Sequence, residues 1–461
     1  MAAPKDVLEG PAAEATEALV RFAADLRFET LPPEVARAGR RCLLNIIGVA
    51  LGACNDPAVE AALAVAKEEG GEPQSRVLGR GEYLPARGTA LVDGVMSHVL
   101  DYDDTHSVTI LHPSPPVMSA VLPVGEWLDA SLSELVAAFV AGIEVASRVS
   151  LALYPDHYDR GWHITSTAGV VGAAAGAGRL LGLDAGRMRH AFGLAATQAA
   201  GHREQFGSMA KSLHVAKAAS DGILAALLAR RGFTSAHGSL EGRRGMLRVM
   251  AEEAAPSRLA DGLWERWEIF QNGIKPYACG IVTHPAIDAV RGLRASLGGE
   301  MAAAVREIRL TVHPLVLELT NKTDPQTGLD GKFSIRFCAA LGLLEDAAGP
   351  RQFTDEMVRR KDVRRIMERV QVSADPKLEV YQARAVLATR DGRTLEKWVE
   401  VAQGFPQNPL SQEALEGKFR SLAEPVLGKE GARSVVEALM GEEDLSAREL
   451  VRRCVSPHGR P

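Results

Sequence analysis

Several signals that would assign a chain to a familiar functional class are missing here. The five cysteines (Cys42, Cys54, Cys279, Cys338 and Cys454) are odd in number and scattered, with no CxxC or Cys/His spacing. That argues against a disulfide framework or a structural zinc and points to a reducing cytoplasm. Aromatic residues supply only 5 % of the chain, and Ala, Gly and Leu take their place, a balance that favours closely packed helices over a large sheet. Neither charge sign dominates: the net charge is -5 over 461 residues, so neither a nucleic-acid nor a membrane partner is expected. The first residues, MAAPKDVLEGPAAEA, are polar and acidic, unlike a signal peptide. The stretch read as most apolar, 167–183, is mostly Ala and Gly and carries Arg179, which suits a buried helix better than a membrane span. There is no nucleophile elbow, P-loop or kinase-like signature, no internal repeat and no long low-complexity tract.

What the sequence has in quantity is helical patterning. Residues 14–26 and 33–53 carry apolar side chains at three-to-four spacing, the second opened by a proline pair suited to a helix start. Ser131 and Glu134 form a capping-box match ahead of an amphipathic run to about Leu153. Asp221–Arg231 reads as a further helix stopped by Gly232. After about residue 275 the character changes. Glu307–Val312 alternates like a half-buried strand, 370–373 and 383–389 are further strand candidates, and Asp391-Gly392 offers a hairpin turn into 397–401. Helical pattern returns at about Ser411. The expected fold is therefore mainly α: a large helical domain built from residues 1–274 and 405–461, with a smaller α+β lid domain, 275–404, inserted between.

Four polar clusters stand out. In the first, His98, Asp101, Asp103, Asp104, Thr105 and His106 precede His112-Pro-Ser114. If a helix runs from Gly88 to about Asp104, His98, Asp101 and Thr105 share one face. Aspartates at a helix C-terminus oppose the macrodipole, so local stability gives no reason to gather them. A solvated helix end is the plain reading, and chelation of Mg²⁺ or Zn²⁺ is the rival, with no HExxH-like spacing to support it. The second cluster, 158–166, places His163 at a loop-to-helix junction, where a histidine can move protons near neutral pH or simply hydrogen-bond. The glycines that follow, from Gly169 to Gly178, lack the spacing and the preceding strand of a dinucleotide site and read as helix-packing residues. In the third, Lys211 and His214 lie one turn apart at the entry to an apolar segment. There a lysine can act as a base, hold a carboxylate or snorkel to water. The fourth, 275–285, holds Lys275, Cys279, Gly280 and His284, and reads equally as a hinge.

Taken in order, these segments resemble the signature blocks of the MmgE/PrpD family: DYDDTH…HPS (101–114), YDRGWHITSTAGVVGAAAGAGRLLGL (158–183), FGSMAKSLHVAKAA (206–219), GFTSAHGSLEGRRG (232–245), KPYACGIVTHPAID (275–288), KFSIRFCAA (332–340) and GFPQNPLSQEALEGKF (404–419). The resemblance covers roughly residues 15–450. It implies a helical domain with an α+β lid, a homodimer, and action on a small anionic polycarboxylate without a metal or organic cofactor. Activities in the family include 2-methylcitrate dehydration, iminodisuccinate epimerisation and cis-aconitate decarboxylation. All move a proton at, or cleave a bond to, a carbon beside a carboxylate, which needs a positioned base and cations for the developing charge.

By motif position the resemblance implies a site of Asp101, Thr105, His112, His163, Lys211 and Lys275, with His284 added from the same block as Lys275. Asp101, His112, His163 and Lys211 are the candidates for proton transfer. Thr105, Lys275, His284, His214 and Arg203 are the candidates for holding substrate. Decarboxylase-type members carry a histidine where this chain has Gly280, so dehydration ranks first, epimerisation second and decarboxylation third. Two readings from other classes are a Mg²⁺-dependent diphosphate enzyme, for which a second aspartate-rich motif is missing, and a non-catalytic binding relative.

Overall fold

The computed structural model describes residues 10–297 and 301–456. The polar opening at residues 1–9 lies outside them. Helix accounts for 59 % of the described residues and strand for 10 %, in keeping with a mainly α protein. The chain divides into two compact units. One comprises residues up to Val99, Asp103–Asn272 and everything from Gln412 onward; the other comprises Leu100–Tyr102 and Gly273–Ser411.

The first unit is built from long helices. α1 (Pro11–Asp25) and α2 (Pro33–Gly52) each begin on a proline, whose fixed φ suits a first helical turn and whose missing N–H costs nothing there. α3 spans Ala86–Val99 and α4 spans Ser114–Leu128. α5 (Leu132–Leu153) opens with a reciprocal cap: Ser131 Oγ accepts from the Glu134 amide at 3.1 Å, and Glu134 Oε2 accepts from the Ser131 amide at 2.9 Å. α6 (Gly169–Leu180) and α7 (Ala210–Arg230) complete the set that positions the site, and the helix Gln412–Met440 returns from the far end of the chain to pack on α2. Gly428, at φ 73°, breaks that last helix.

Two sequence expectations need correcting here. The helix expected to reach Asp104 ends at Val99, and Asp101 follows in the left-handed region at φ 49°. His98, Asp101 and Thr105 therefore do not share a helix face. The helix expected at Asp221 begins at Ala210 and so takes in Lys211 and His214.

Close packing in this unit depends on small residues. A Cβ on Gly172 of α6 would sit 2.5 Å from the Gly142 carbonyl oxygen of α5 and 2.6 Å from Ala146 Cβ, so the two backbones meet with nothing between them. Segment 167–183 contains only the twelve-residue α6, about 18 Å long and too short to cross a bilayer. By length and composition α5 and α7 are apolar enough to cross one, and 94 % of the apolar window of α5 is buried inside the protein. The five cysteines are free and buried.

The second unit holds a four-stranded sheet. β1 (Val305–Val312), β2 (Val370–Ala374), β3 (Ala383–Thr389) and β4 (Thr394–Val399) lie in the order β2-β1-β3-β4. β1 pairs parallel with β2, with Ile308 opposite Val370, and antiparallel with β3, with Arg309 opposite Val386. Ile308, Leu310 and Val312 are buried while Arg309 is exposed, as a strand with one covered face requires. Gly392, at φ 90°, turns β3 into β4, which starts at Thr394, earlier than the 397 expected from pattern. Helices α8 (His284–Arg294) and α9 (Ile335–Leu344) pack on each other, and α8 also packs on β3 and β4.

The glycine contact generates a paired prediction. Gly172→Ala is expected to lose about 1–3 kcal/mol through overpacking. Gly417→Ala, in an open helical position with nothing within 4 Å of the added Cβ, should gain about 0.5–1 kcal/mol. Urea unfolding of both variants checks this, and equal midpoints would contradict the close-approach argument.

Candidate functional site

In the first unit, two helices and two loop segments bring imidazoles together. His98 lies in the last turn of α3, His112 in the loop before α4, His163 caps the short helix Ile164–Thr167, and His214 follows Lys211 on α7. His98 and His112 meet edge to face with ring centroids 4.8 Å apart; His98 stacks on His163 at 6.0 Å; His163 meets His214 at 5.2 Å. Thr165 pins this arrangement by accepting the His112 amide at 3.1 Å, and Ser166 Oγ donates to the His214 carbonyl at 3.0 Å.

Asp103 lies between two of the rings. Its Oδ2 is 2.9 Å from His98 Nδ1 and 3.0 Å from His112 Nδ1. Thr105 Oγ1 is 3.5 Å from His112 Nδ1, so Asp103 is the closer partner. Among the described residues, His98, Asp103 and His112 are the group whose ligand-type atoms come within 4.8 Å of one another. Both imidazole–carboxylate separations are ordinary hydrogen-bond lengths. Asp104 accepts from Asn272 Nδ2 at 2.6 Å and from the Ser114 amide and hydroxyl.

Burial governs the protonation of this cluster. His98 is lowered to about 3, first by burial and then by the charge of Lys211. His163 is held well below the usual histidine range by burial, then by His98 and Lys211, and His214 is lowered to about 4 by burial and then His202. Neutral imidazoles follow. The 2.9 Å contact between His163 Nδ1 and His214 Nδ1 then carries one proton, with one ring donating and the other accepting. His163 Nε2 is buried with no hydrogen-bond partner, as is His98 Nε2. Asp104 moves the other way, up to about 7, first through burial and then through the charge of Asp103.

Lys211 is buried in the first turn of α7, with Nζ 5.5 Å from the centre of the Phe206 ring. A cation there opposes the helix macrodipole, so the position is unfavourable for the helix alone. Arg203, by contrast, lies 4.2 Å over the Tyr158 ring and donates to the Tyr158 carbonyl at 2.9 Å.

The second unit holds the other sequence candidates. Asp101 Oδ1 is 2.9 Å from Lys275 Nζ, which also donates to the Asp101 carbonyl at 3.2 Å; both residues are buried. Lys332 Nζ donates to the carbonyls of Leu100 and Ala278 at 2.6 and 2.7 Å, and Tyr102 donates to the Pro276 carbonyl at 3.1 Å. These bonds tie residues 100–102 into this unit. His284 starts α8, fully buried, with Nε2 3.4 Å from the Cys279 carbonyl.

Sequence reasoning did not select Asp103 and Lys332. Asp103 sits in the aspartate cluster that had drawn attention, but its two partners, five residues before and nine after, are joined to it only by the bend after Val99. Lys332 opens the matched block KFSIRFCAA, where nothing local distinguishes it from a surface lysine.

Comparison with known proteins adds the following. The MmgE/PrpD N-terminal domain matches residues 17–259, and the MmgE/PrpD C-terminal domain matches residues 277–441. Cis-aconitate decarboxylase of Homo sapiens is 26 % identical over 451 residues, covering 93 % of this chain and 92 % of the relative. Cis-aconitate decarboxylase of Aspergillus terreus is 25 % identical over 459 residues, covering 94 % of each.

The opposite shifts at this site give a pH prediction. A buried His98 or His214 takes up protons on unfolding, toward an unfolded value of about 6.5. Their contribution is full above about pH 6.5 and is lost as pH falls toward the folded values. Asp104 binds its proton more tightly when folded than the unfolded value of about 3.9, so its contribution is full below about pH 4 and is lost as pH rises to about 7. Between about pH 7 and about pH 5, His214→Gln should lose less stability than the parent and Asp104→Asn should lose more. Urea midpoints at the two pH values check both signs, and parallel profiles would contradict the burial argument.

Proposed function

Because the chain belongs to the MmgE/PrpD family, we propose that it is a lyase or isomerase that moves a proton at a carbon beside a carboxylate of a small polycarboxylic acid, with dehydration of a 2-methylcitrate-like acid as its net reaction. The observation that carries this reading is His163: fully buried, held neutral, and with an Nε2 that has no hydrogen-bond partner. A buried imidazole nitrogen is costly to leave without a partner unless a proton-bearing ligand completes it.

In a dehydration, the base takes the proton from the carbon next to the carboxylate, the electron pair forms the alkene, and the β-hydroxyl leaves as water after taking a proton from an acid. His163 Nε2 is assigned the base, and His112 the acid once it carries a second proton, at Nε2, as the imidazolium. Lys211 meets a carboxylate, lowering the barrier by stabilising enolate-like charge. Lys275, already oriented by Asp101, is assigned a carboxylate on the family resemblance. That resemblance alone extends the proposal to a cytoplasmic homodimer using no metal or organic cofactor.

Decarboxylation of a cis-aconitate-like acid is the second reading, favoured by the names of the relatives. Gly280 speaks against it, since decarboxylase-type members have a histidine there. A Cβ at Gly280 would lie 3.4 Å from Thr320 Cγ2 and 3.8 Å from the Lys332 carbonyl oxygen, so a side chain at this position is not sterically barred. Epimerisation of an iminodisuccinate-like acid uses the same proton removal, with return to the opposite face.

Proton NMR in D₂O of EDTA-treated enzyme with citrate-like, tartrate-like and iminodicarboxylate acids separates these outcomes. Loss of an α-proton signal together with a new alkene signal is expected; loss without alkene indicates epimerisation, and loss of a carboxylate as CO₂ indicates decarboxylation. Lys211→Ala and His163→Ala should each slow turnover by roughly 10²–10⁴-fold. Near-normal turnover in either removes that residue's role, and no exchange with any acid contradicts the proposal.

A further inference from the structure

The sequence blocks and the family resemblance single out His112 but give no reason for its orientation. The structure supplies one. Asp103 Oδ2 lies 2.9 Å from His98 Nδ1 and 3.0 Å from His112 Nδ1, and Asp103 and His98 are buried to 0 % and 1 % exposure. An ionised carboxylate can only accept, so each imidazole must present an N–H at Nδ1. That fixes the tautomer of both rings and leaves each Nε2 as the nitrogen available for proton exchange. His98, paired with Asp103 through Nδ1, serves as a second donor that holds the carboxylate in place.

We infer that Asp103 is the positioning residue of this enzyme, locking His112 in its Nδ1–H tautomer while His98 anchors the carboxylate from the other side. The arrangement works as an orienting group works behind any imidazole acid or base: it selects the tautomer and favours the imidazolium when the ring takes a proton. The inference rests on the reading of His112 as a proton-transfer residue, but the tautomer can be read without any turnover.

The test uses full-length protein labelled with ¹⁵N-histidine, with the His112 signals assigned by their loss in His112→Gln. In the parent protein, the ¹⁵N shifts should report the Nδ1–H tautomer for both His98 and His112, unchanged by chelator treatment. In Asp103→Asn, His112 should lose that single tautomer, with kcat down on the order of 10²-fold and KM within about threefold, because Asp103 is not assigned a substrate contact. His98→Asn places an amide donor where Nδ1–H stood and should keep most of the activity, whereas His98→Leu should not. An Nε2–H tautomer at His112 in the parent overturns the inference even if Asp103→Asn and the His98 variants fail to fold. So does an unaltered His112 signal and kcat in Asp103→Asn, or a change in both histidine signals on chelation, which would make the trio a metal site. If the tautomers behave as expected but no polycarboxylate exchanges a proton, it is the proposed function that fails.

Discussion

The close approach of α5 and α6, where Gly142 and Gly172 leave only backbone between the helices, is the constraint on which the site depends. α6 begins directly after the segment 163–168, so seating its N-terminal half against α5 also fixes where that segment lies. From there the connections run through single hydrogen bonds. Thr165 holds the His112 loop, Ser166 holds α7 at His214, and the His163–His214 contact joins the two sides. A larger side chain at position 172 would push α6 away from α5 and shift the His163 segment at its N-terminus, so a packing rule about small residues becomes a rule about imidazole geometry.

Electrostatics then acts on that frame. Gathering four histidines and Lys211 with Asp103 and Asp104 in a region mostly sealed from water is unfavourable to folding on balance, because burial keeps imidazoles neutral and raises a carboxyl. Such an arrangement makes sense where neutral bases and a nearby cation have a task. The pairing in the second unit has the same character: Asp101 sits in a left-handed conformation that a non-glycine residue rarely adopts and bonds Lys275 through both its carboxylate and its carbonyl. Strain and burial coincide there with residues that family resemblance had already singled out.

Much of the fold was legible in the sequence because it follows local rules. Proline starts, the Ser131–Glu134 cap, the alternation of Glu307–Val312 and the Asp391-Gly392 turn each act within a few residues. The departures are tertiary. α3 ends at Val99 because residues 100–102 are claimed by Lys275, Lys332 and Pro276, all more than 170 residues away in sequence. α7 starts at Ala210 with polar Lys211 and Ser212 buried and apolar Leu213 half exposed, which blurs the amphipathic stripe by which a helix is recognised. In the site, the cluster 98–114 was visible as a density of polar residues, but the sharing of Asp103 between two histidines was not, since spacings of five and nine residues correspond to no regular element.

The central claim is that His163 is held neutral, so that its buried Nε2 can take a proton from a bound acid. Titration calorimetry with tricarballylate, a tricarboxylate without a hydroxyl to lose, measures this most directly when run at about pH 6.5 in buffers of different ionisation enthalpy. The same proton count on binding is expected in the parent and in His163→Gln, because His163 stays neutral in the complex. Proton uptake in the parent that disappears in His163→Gln would place the imidazolium in the complex and contradict the claim.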